Sequence, residues 1–179
     1  KLCESYNRQY GKSNGVDYRT IIPPNLYGFN DNYDLKNSHV LAALIKKFYK
    51  EKKNKKNQVM VWGSGKPKRE FMYVDDAADA AIYIMSLKKS IYKRYTQEMQ
   101  SHINVGTGKD ISIKVLAKKI SKIIGYNGKI KFNTSKLDGT KRKLMNSTLV
   151  KKMGWKIKSN FEKNLNLALR NYIETFEYK

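Results

Sequence analysis

The sequence is poor in cysteine and histidine. Its 179 residues include one cysteine, Cys3, and two histidines, His39 and His102. A single cysteine excludes a disulfide framework within the chain and favours a reducing compartment, the cytoplasm. The three potential nitrogen and sulfur ligands are scattered and lack the spacing of a zinc site, so we expect no bound metal.

Acidic residues and long apolar runs are also scarce. The chain has 15 Asp and Glu against 37 Lys and Arg, a formal net charge of +22 at pH 7. Such an excess can indicate a nucleic-acid partner. The lysines are spread along the whole chain, with one dense cluster at 46–56, and no zinc-finger or RNA-stacking motif accompanies them. A general lysine and asparagine bias therefore explains the charge better, and a basic nucleic-acid-binding module is kept as an alternative. No apolar run is long enough for a membrane span, so no membrane partner is expected.

The sequence does contain an alternation of strand and helix patterns. Short apolar runs predict strands at 18–22, 59–62, 71–74, 102–106 and 129–132. Apolar stripes and capping residues predict helices at 1–10, 38–50, 75–87, 112–124 and 148–153, and a last helix from 159 onward. The first helix has an apolar face of Leu2, Tyr6 and Tyr10. The predicted N-caps are Ser38, Ser112 and, within a capping box, Ser159. The segments 88–100 and 133–146 are predicted to be a linker and a loop. The run 106–108, Gly-Thr-Gly, resembles the start of a dinucleotide fingerprint but lacks the third glycine, so it is predicted to be a tight strand-to-helix turn. Because strands alternate with helices, we predict an α/β fold with some parallel pairing.

The stretch 59–76 combines several residue types that suit one ligand. A short apolar strand ends in Trp62, a Gly-Ser-Gly turn follows, and Arg69 and Phe71 come next. An aromatic ring, a flexible turn and an arginine suit a nucleotide sugar, which offers a ring for packing and a diphosphate to neutralise. From spacing alone, a plainer interpretation is favoured, in which Trp62 and Phe71 belong to the core and Arg69 is a solvated charge.

Seven segments match the motifs of one enzyme family in order and spacing. They are KLCESYNRQYG at 1–11, NLYG at 25–28, NSHV at 37–40, VWGSGKPKREFMYVDD at 61–76, SHINVGTGKDISI at 101–113, SKLDGTKRKL at 135–144 and MGW at 153–155. Together they resemble the C-terminal half of the extended short-chain dehydrogenase/reductases of the GDP-L-fucose synthase branch. The REF-aromatic-VDD and NVGTG motifs are common to extended reductases, whereas WGSG…REF with NSHV and DGT-x-RK is specific to this branch.

The resemblance implies an activity, a cofactor and a domain organisation. Such enzymes convert GDP-4-keto-6-deoxy-D-mannose to GDP-L-fucose by 3,5-epimerisation and NADPH-dependent 4-reduction, and they form homodimers. The chain is similar to the last Rossmann strands and helices plus the small substrate-binding α/β domain. Residues 1–37 correspond to the tail of the Rossmann domain and 38–179 mostly to the substrate domain, with 71–87 and 102–108 returning to the Rossmann sheet.

The first helix is expected to begin upstream of the given sequence, because no capping residue precedes Lys1. By the resemblance, the family's Gly-rich loop, Tyr-x-x-x-Lys pair and catalytic serine and cysteine would all lie before Lys1, so the chain alone is expected to be inactive. Cys3 does not match the catalytic cysteine and is expected to be a small buried helix residue. The run from Tyr49 to Lys53 fits Tyr-x-x-x-Lys, but it lies in a charged helix tail and is given no role.

The resemblance also implies site residues for the reaction and the cofactor. His39 matches the family histidine that donates a proton during epimerisation and lies near the nicotinamide, a task for which the imidazole pKa is suited. Without the resemblance, a histidine in the first turn of a helix is usually structural or exposed. The residues matching the segment that approaches NADPH are Pro23, Pro24, Asn25 and Leu26.

The residues matching family positions that hold the GDP-sugar are Lys47, Trp62, Arg69 and Asp138. Lys47 stands where the family often has arginine, and it lacks the bidentate fork of a guanidinium. Lys141 and Asn146 stand where the usual family loop has a proline and an aspartate, and these two departures do not affect the match at Asp138. The main alternative within the same class is another extended reductase, a nucleotide-sugar epimerase or dehydratase.

Overall fold

The computed structural model describes residues 1–176 as an α/β structure with parallel pairing, which confirms the predicted fold class. The helices are α1 Leu2–Tyr10, α2 Val40–Lys53, α3 Val74–Ser86, α4 Lys89–Tyr95, α5 Ile113–Ile124, α6 Thr148–Lys152 and α7 Phe161–Phe176. The strands are β1 Ile21–Ile22, β2 Asn25–Tyr27, β3 Gln58–Trp62, β4 Lys68–Tyr73, β5 Ile103–Asn104, β6 Asp110–Ser112, β7 Lys129–Asn133 and β8 Arg142–Lys143.

Strand β4 lies at the centre of the largest sheet, because its two halves pair with different partners. Residues 71–73 pair in parallel with β2. Residues 68–70 pair antiparallel with β6, and residues 68–69 pair in parallel with β8. Two further parallel pairs, β1 with β5 and β3 with β7, complete the sheets of the described chain. The stretch 59–76 that stood out in the sequence therefore includes β4, the strand that pairs with three others.

The buried apolar residues form two clusters that share β4. The larger cluster joins α2, α5, α7 and β3 to Phe71 and Tyr73. The smaller cluster joins α3, α4, α6 and β5 to Met72. Successive side chains of a strand point to opposite faces, so one strand can support both clusters. Full burial of a side chain such as Phe48 or Leu116 contributes about 1.5–3 kcal/mol to folding.

The amphipathic helices form where their apolar stripes predict them. The stripe of α5 is buried throughout: Ile113, Leu116, Ile120 and Ile124. Ser112 accepts a hydrogen bond from the backbone N–H of Val115 at 3.2 Å, which confirms the predicted N-cap. Gly125 ends the helix in the left-handed conformation.

Two other predicted helix caps are wrong. Ser38 does not cap α2, since the N-cap is His39 and the Ser38 hydroxyl has no hydrogen-bond partner in the described chain. Ser159 does not cap α7 either, because its hydroxyl donates to the Asp76 carboxylate. Asn160 takes that role, and its side-chain oxygen accepts two backbone N–H groups of the first turn at 2.9 and 3.1 Å.

Several predicted boundaries differ from the structure. The strand predicted at 18–22 is reduced to β1, and Ile22 is exposed. The predicted linker 88–100 contains α4, and the predicted loop 133–146 contains β8. The lysine-rich segment after 50 begins as helix, because α2 extends to Lys53. These differences arise where pairing or packing with a distant segment decides the local structure.

The predicted apolar face of α1 carries Leu2, Tyr6 and Tyr10, and all three side chains are exposed among the described residues. Cys3 is half-buried, so the prediction of a buried residue is wrong. The division of the chain into domains at residue 38 stays a prediction. Among residues 1–176, no helix combines the length and apolar character that a membrane crossing requires.

Candidate functional site

The turn 63–65 forms one wall of the candidate site. Gly63 and Gly65 have φ angles of 78° and 74°, a region that side chains with a Cβ rarely occupy. A Cβ at Gly63 would also overlap Asp138 Oδ1. Asp138 accepts hydrogen bonds from the Ser64 hydroxyl at 2.6 Å and the Ser64 backbone N–H at 2.8 Å. These two bonds, the hydroxyl first, hold the pKa of Asp138 below its ordinary value and fasten its loop to the turn.

Arg69 lies near the start of β4 and contacts the same loop. Its Nη1 donates to the carbonyl oxygen of Thr140 at 2.6 Å and to that of Lys68 at 2.7 Å. The side chain is half-buried. Its Nε and Nη2 have no hydrogen-bond partner among the described residues. One edge of the guanidinium is thus fixed by the protein, and the other has donors for an anionic group.

Trp62 presents its indole ring to solvent beside two lysines. It is 64% exposed, so the interpretation of this residue as core is wrong, whereas Phe71 is buried as that interpretation expected. The ammonium nitrogens of Lys47 and Lys136 lie 5.6 and 5.9 Å from the Trp62 ring centroid. Lys47 Nζ also donates to the carbonyl oxygen of Met60 at 2.7 Å, and partial burial lowers its pKa. An exposed ring with cations at its side suits a flat, anionic ligand.

Three of the four residues expected to hold the GDP-sugar line one cavity. Trp62, Arg69 and Asp138 share a space of about 140 Å³. The fourth, Lys47, is brought beside it through its contact with Trp62. Arg69 also lines a larger cavity of about 400 Å³, together with Phe71, Tyr73 and the start of α7. Arg69 therefore borders both cavities.

His39 is the N-cap residue of α2 and is exposed. The next residue, Val40, lines the 140 Å³ cavity, although His39 itself is not part of that lining. Burial raises the pKa of the nearby Asp31 carboxyl, and the proximity of His39 opposes that rise. The histidine is thus placed at the edge of the candidate site and within reach of solvent.

The residues expected to approach NADPH lie elsewhere, at the end of β1 and in β2. Pro23, Pro24, Asn25 and Leu26 are all half-buried and do not line the 140 Å³ cavity. Asn25 Nδ2 donates to the carbonyl oxygen of Glu70 at 2.9 Å. Two prolines and a leucine supply apolar contact, and prolines have no N–H to donate. The four residues therefore fit an apolar part of a cofactor and do not provide a phosphate site.

The turn 106–108 is not a dinucleotide phosphate loop. The buried carboxylate of Glu70 accepts the Gly108 backbone N–H at 2.7 Å and the Thr107 hydroxyl at 2.9 Å. A carboxylate at that position repels phosphate. The chain then enters β6 before α5, so the predicted tight strand-to-helix turn is also wrong.

Sequence reasoning missed three residues of this region: Ser64, Glu70 and Lys136. Ser64 and Lys136 lie in segments interpreted as turn and loop, and only the folded chain brings them to Asp138 and Trp62. The exposure of Trp62 had a signal in the sequence. Strand β3 alternates exposed and buried residues, with Val59 and Val61 inside, which places Trp62 on the outer face.

A family profile and curated sequence relatives both match this chain. The profile of the NAD dependent epimerase/dehydratase family matches residues 1–106. GDP-L-fucose synthase from Escherichia coli strain K12 is 47% identical over 174 residues, which cover 97% of this chain and 53% of that protein. GDP-L-colitose synthase from Yersinia pseudotuberculosis is 38% identical over 173 residues, with 97% and 53% covered.

A solved structure of a protein with a similar name also matches the fold of this chain. The crystal structure of a GDP-L-fucose synthetase from Naegleria fowleri bound to NADP superposes with a TM-score of 0.84 at 27% identity. The match covers 98% of this chain and 53% of that one. The chain thus spans about half the length of the curated relatives it matches.

Proposed function

The chain belongs to the NAD dependent epimerase/dehydratase family, and from this premise we propose that it is the nucleotide-sugar-binding part of a GDP-L-fucose synthase. The substrate is GDP-4-keto-6-deoxy-D-mannose, and the reaction is 3,5-epimerisation followed by NADPH-dependent 4-reduction. One observation carries the proposal: Trp62, Arg69 and Asp138 line one cavity, with Lys47 against the Trp62 ring. An aromatic plane, a guanidinium and an ammonium together match a nucleoside diphosphate.

Each side chain has a distinct task in this site. The exposed Trp62 ring packs against the base or ribose, and Arg69 Nε and Nη2 donate to diphosphate oxygens. Lys47 and Lys136 add positive charge beside the ring. Both Asp138 oxygens already accept from Ser64, so its first task is to hold the loop, and its remaining lone pairs can accept from guanine N–H groups.

His39 acts as the proton donor of the epimerisation. The reaction moves protons at carbons next to a carbonyl group, and an exposed imidazole at a helix start can exchange its proton with solvent. NADPH supplies the hydride for the reduction, and Pro23, Pro24, Asn25 and Leu26 would contact an apolar part of it. A homodimer and a cytoplasmic location belong to the same proposal.

The nucleotide selectivity of the chain tests the binding part of this proposal. Isothermal titration of residues 1–179 with GDP, UDP and dTDP should give binding of GDP at least about tenfold tighter than of the other two. Trp62→Ala should weaken GDP binding, whereas Phe29→Ala, which truncates an exposed aromatic residue outside the cavity, should not. Equal affinity for the three nucleotides, or equal effects of the two variants, would contradict the proposal.

Product analysis tests the reaction. The complete enzyme should convert GDP-4-keto-6-deoxy-D-mannose and NADPH to GDP-L-fucose, and a different sugar product would identify another extended reductase. Binding of random-sequence DNA with a steep salt dependence, in the absence of GDP binding, would instead favour a nucleic-acid-binding module.

A further inference from the structure

Glu70 is a charged residue in the centre of the main sheet, and it is 1% exposed. Removing an ionised carboxylate from water is unfavourable unless several hydrogen bonds replace its hydration. Here three donors do so: the Thr107 hydroxyl at 2.9 Å, the Gly108 N–H at 2.7 Å and the Met145 N–H at 2.8 Å. The first two reach Oε1 and the third reaches Oε2. The two oxygens thus join two separate segments of the chain.

The space around this carboxylate is closely fitted. A Cβ at Gly106 would lie 2.6 Å from Glu70 Oε1, so the absence of a side chain at Gly106 allows the turn to approach. The backbone carbonyl oxygen of Glu70 accepts a hydrogen bond from the Asn25 side-chain Nδ2 at 2.9 Å. Glu70 therefore contacts β2, the turn 106–108 and the segment after β8.

The segment 138–145 is attached to three consecutive residues of β4. The Lys68 N–H donates to the carbonyl oxygen of Lys141 at 2.9 Å, and Arg69 donates to that of Thr140 at 2.6 Å. Glu70 completes the series by accepting from Met145. The same segment begins with Asp138, which lines the candidate site together with Arg69. The position of Asp138 relative to Arg69 thus depends on this attachment.

We propose that Glu70 is a positioning residue of the nucleotide-sugar site: its carboxylate anchors the segment 138–145 to β4 and so sets the geometry between Arg69 and Asp138. Glu70 lies on the opposite face of β4 from Arg69 and does not line the 140 Å³ cavity. Its effect on the ligand is therefore indirect. The inference rests on the proposed function, since it concerns the same site.

Glu70→Gln is the variant that tests this role. Glutamine has nearly the same shape, but one of its two terminal atoms is an NH₂ group that donates and cannot accept. The NH₂ group of glutamine would therefore face either the Met145 N–H or the Gly108 N–H, and that hydrogen bond would be lost. Losing a hydrogen bond to a charged group weakens an attachment by about tenfold or more. We expect amide hydrogen exchange in the segment 138–146 to accelerate by about tenfold, and the Kd for GDP to rise by roughly three- to tenfold.

Glu4→Gln is the matched control. Glu4 is also a buried carboxylate, 2% exposed, and it accepts the Ser101 N–H at 2.7 Å. It lies on α1, away from the candidate site. Both variants are compared at a temperature at which circular dichroism shows them fully folded. A merely structural role lowers the melting temperature of both without changing the GDP affinity of the folded protein. A positioning role weakens GDP binding in Glu70→Gln alone.

Thr107→Val provides a second, milder variant in case Glu70→Gln does not fold, because it removes one of the three donors and leaves the carboxylate in place. It should accelerate the same exchange by a smaller factor. Unchanged exchange in 138–146 in both variants would overturn the positioning role, whether or not GDP binds. Absence of GDP binding in the unsubstituted chain would instead contradict the proposed function, and the exchange measurement would still decide whether the Glu70 carboxylate anchors the segment 138–145.

Discussion

Truncation of Arg69 is the perturbation that most directly separates a substrate clamp from a surface charge. Arg69→Ala removes two sets of contacts. One set is internal, the bonds from Nη1 to the carbonyl oxygens of Thr140 and Lys68. The other is the proposed pair of donors, Nε and Nη2, to the diphosphate of the substrate. The first set affects stability, and the second affects binding.

The magnitude follows from the exposure of the side chain. A hydrogen bond to a charged group contributes about 1.5–3 kcal/mol. Because Arg69 is half-buried, solvent screening places the effect near the lower end, about 1.5 kcal/mol or roughly a tenfold increase in Kd for GDP. Arg69→Lys should recover part of this loss, since an ammonium neutralises phosphate but cannot form two parallel bonds.

Lys68→Ala is the matched control for Arg69→Ala. Lys68 is the neighbouring cation, its side chain is exposed, and its backbone pairing does not depend on the side chain. We expect its truncation to change the Kd for GDP by less than about twofold, with an effect that disappears at high salt. Isothermal titration at low and high salt, with the melting temperature of each variant, separates binding from stability. If Arg69→Ala and Lys68→Ala produced the same small change in Kd, Arg69 would be a rim charge and the clamp would be refuted.

Three further predictions concern the cofactor, the acid and the loop. A fluorescence titration of the chain with NADPH should give weak or no binding, because residues 1–176 offer no phosphate loop; micromolar affinity would contradict this. In the complete enzyme, His39→Gln should leave GDP affinity unchanged and slow turnover by roughly a hundredfold; unchanged solvent-deuterium incorporation into the sugar would remove His39 from the mechanism. Ser64→Ala should raise the pKa of Asp138 towards its ordinary value, measured by carboxyl ¹³C NMR, whereas Ser135→Ala should not. Because folding lowers the pKa of Asp138, the stability that its ionised carboxylate gives the folded chain is complete above the ordinary pKa and is lost as the pH falls through the lowered folded-state pKa. Equal pKa values of Asp138 in both variants would argue against the Ser64 contact.

The sequence predicted those parts of the fold that are determined by local patterns. Helix α5 has the predicted apolar stripe and the predicted serine cap, and both form as expected. Strands β6 and β8 have no such pattern, because they are short and exist through pairing with β4. The predicted cap of α7 at Ser159 fails because the Ser159 hydroxyl donates to Asp76, 83 residues away in sequence, and Asn160 caps the helix instead.

In the candidate site, too, the motifs identified some residues, whereas contacts between distant segments could not be predicted. The resemblance selected Trp62, Arg69 and Asp138, and the folded chain gathers them around one cavity. Nothing near Glu70 distinguished it from an exposed strand residue. Its three hydrogen-bond donors come from positions 107, 108 and 145, and only the folded structure brings them together.

The alternation of Arg69 and Glu70 along β4 makes this strand intolerant of insertions and deletions. A slip of one residue exchanges the two faces of a strand. In β4 such a slip would turn the Glu70 carboxylate towards the 140 Å³ cavity. It would also bury the Arg69 guanidinium against the N–H groups of 108 and 145, so the charge facing each environment would change sign. The link between the turn at 63–65 and β4 should therefore keep a fixed length in any functional variant, even where its side chains change.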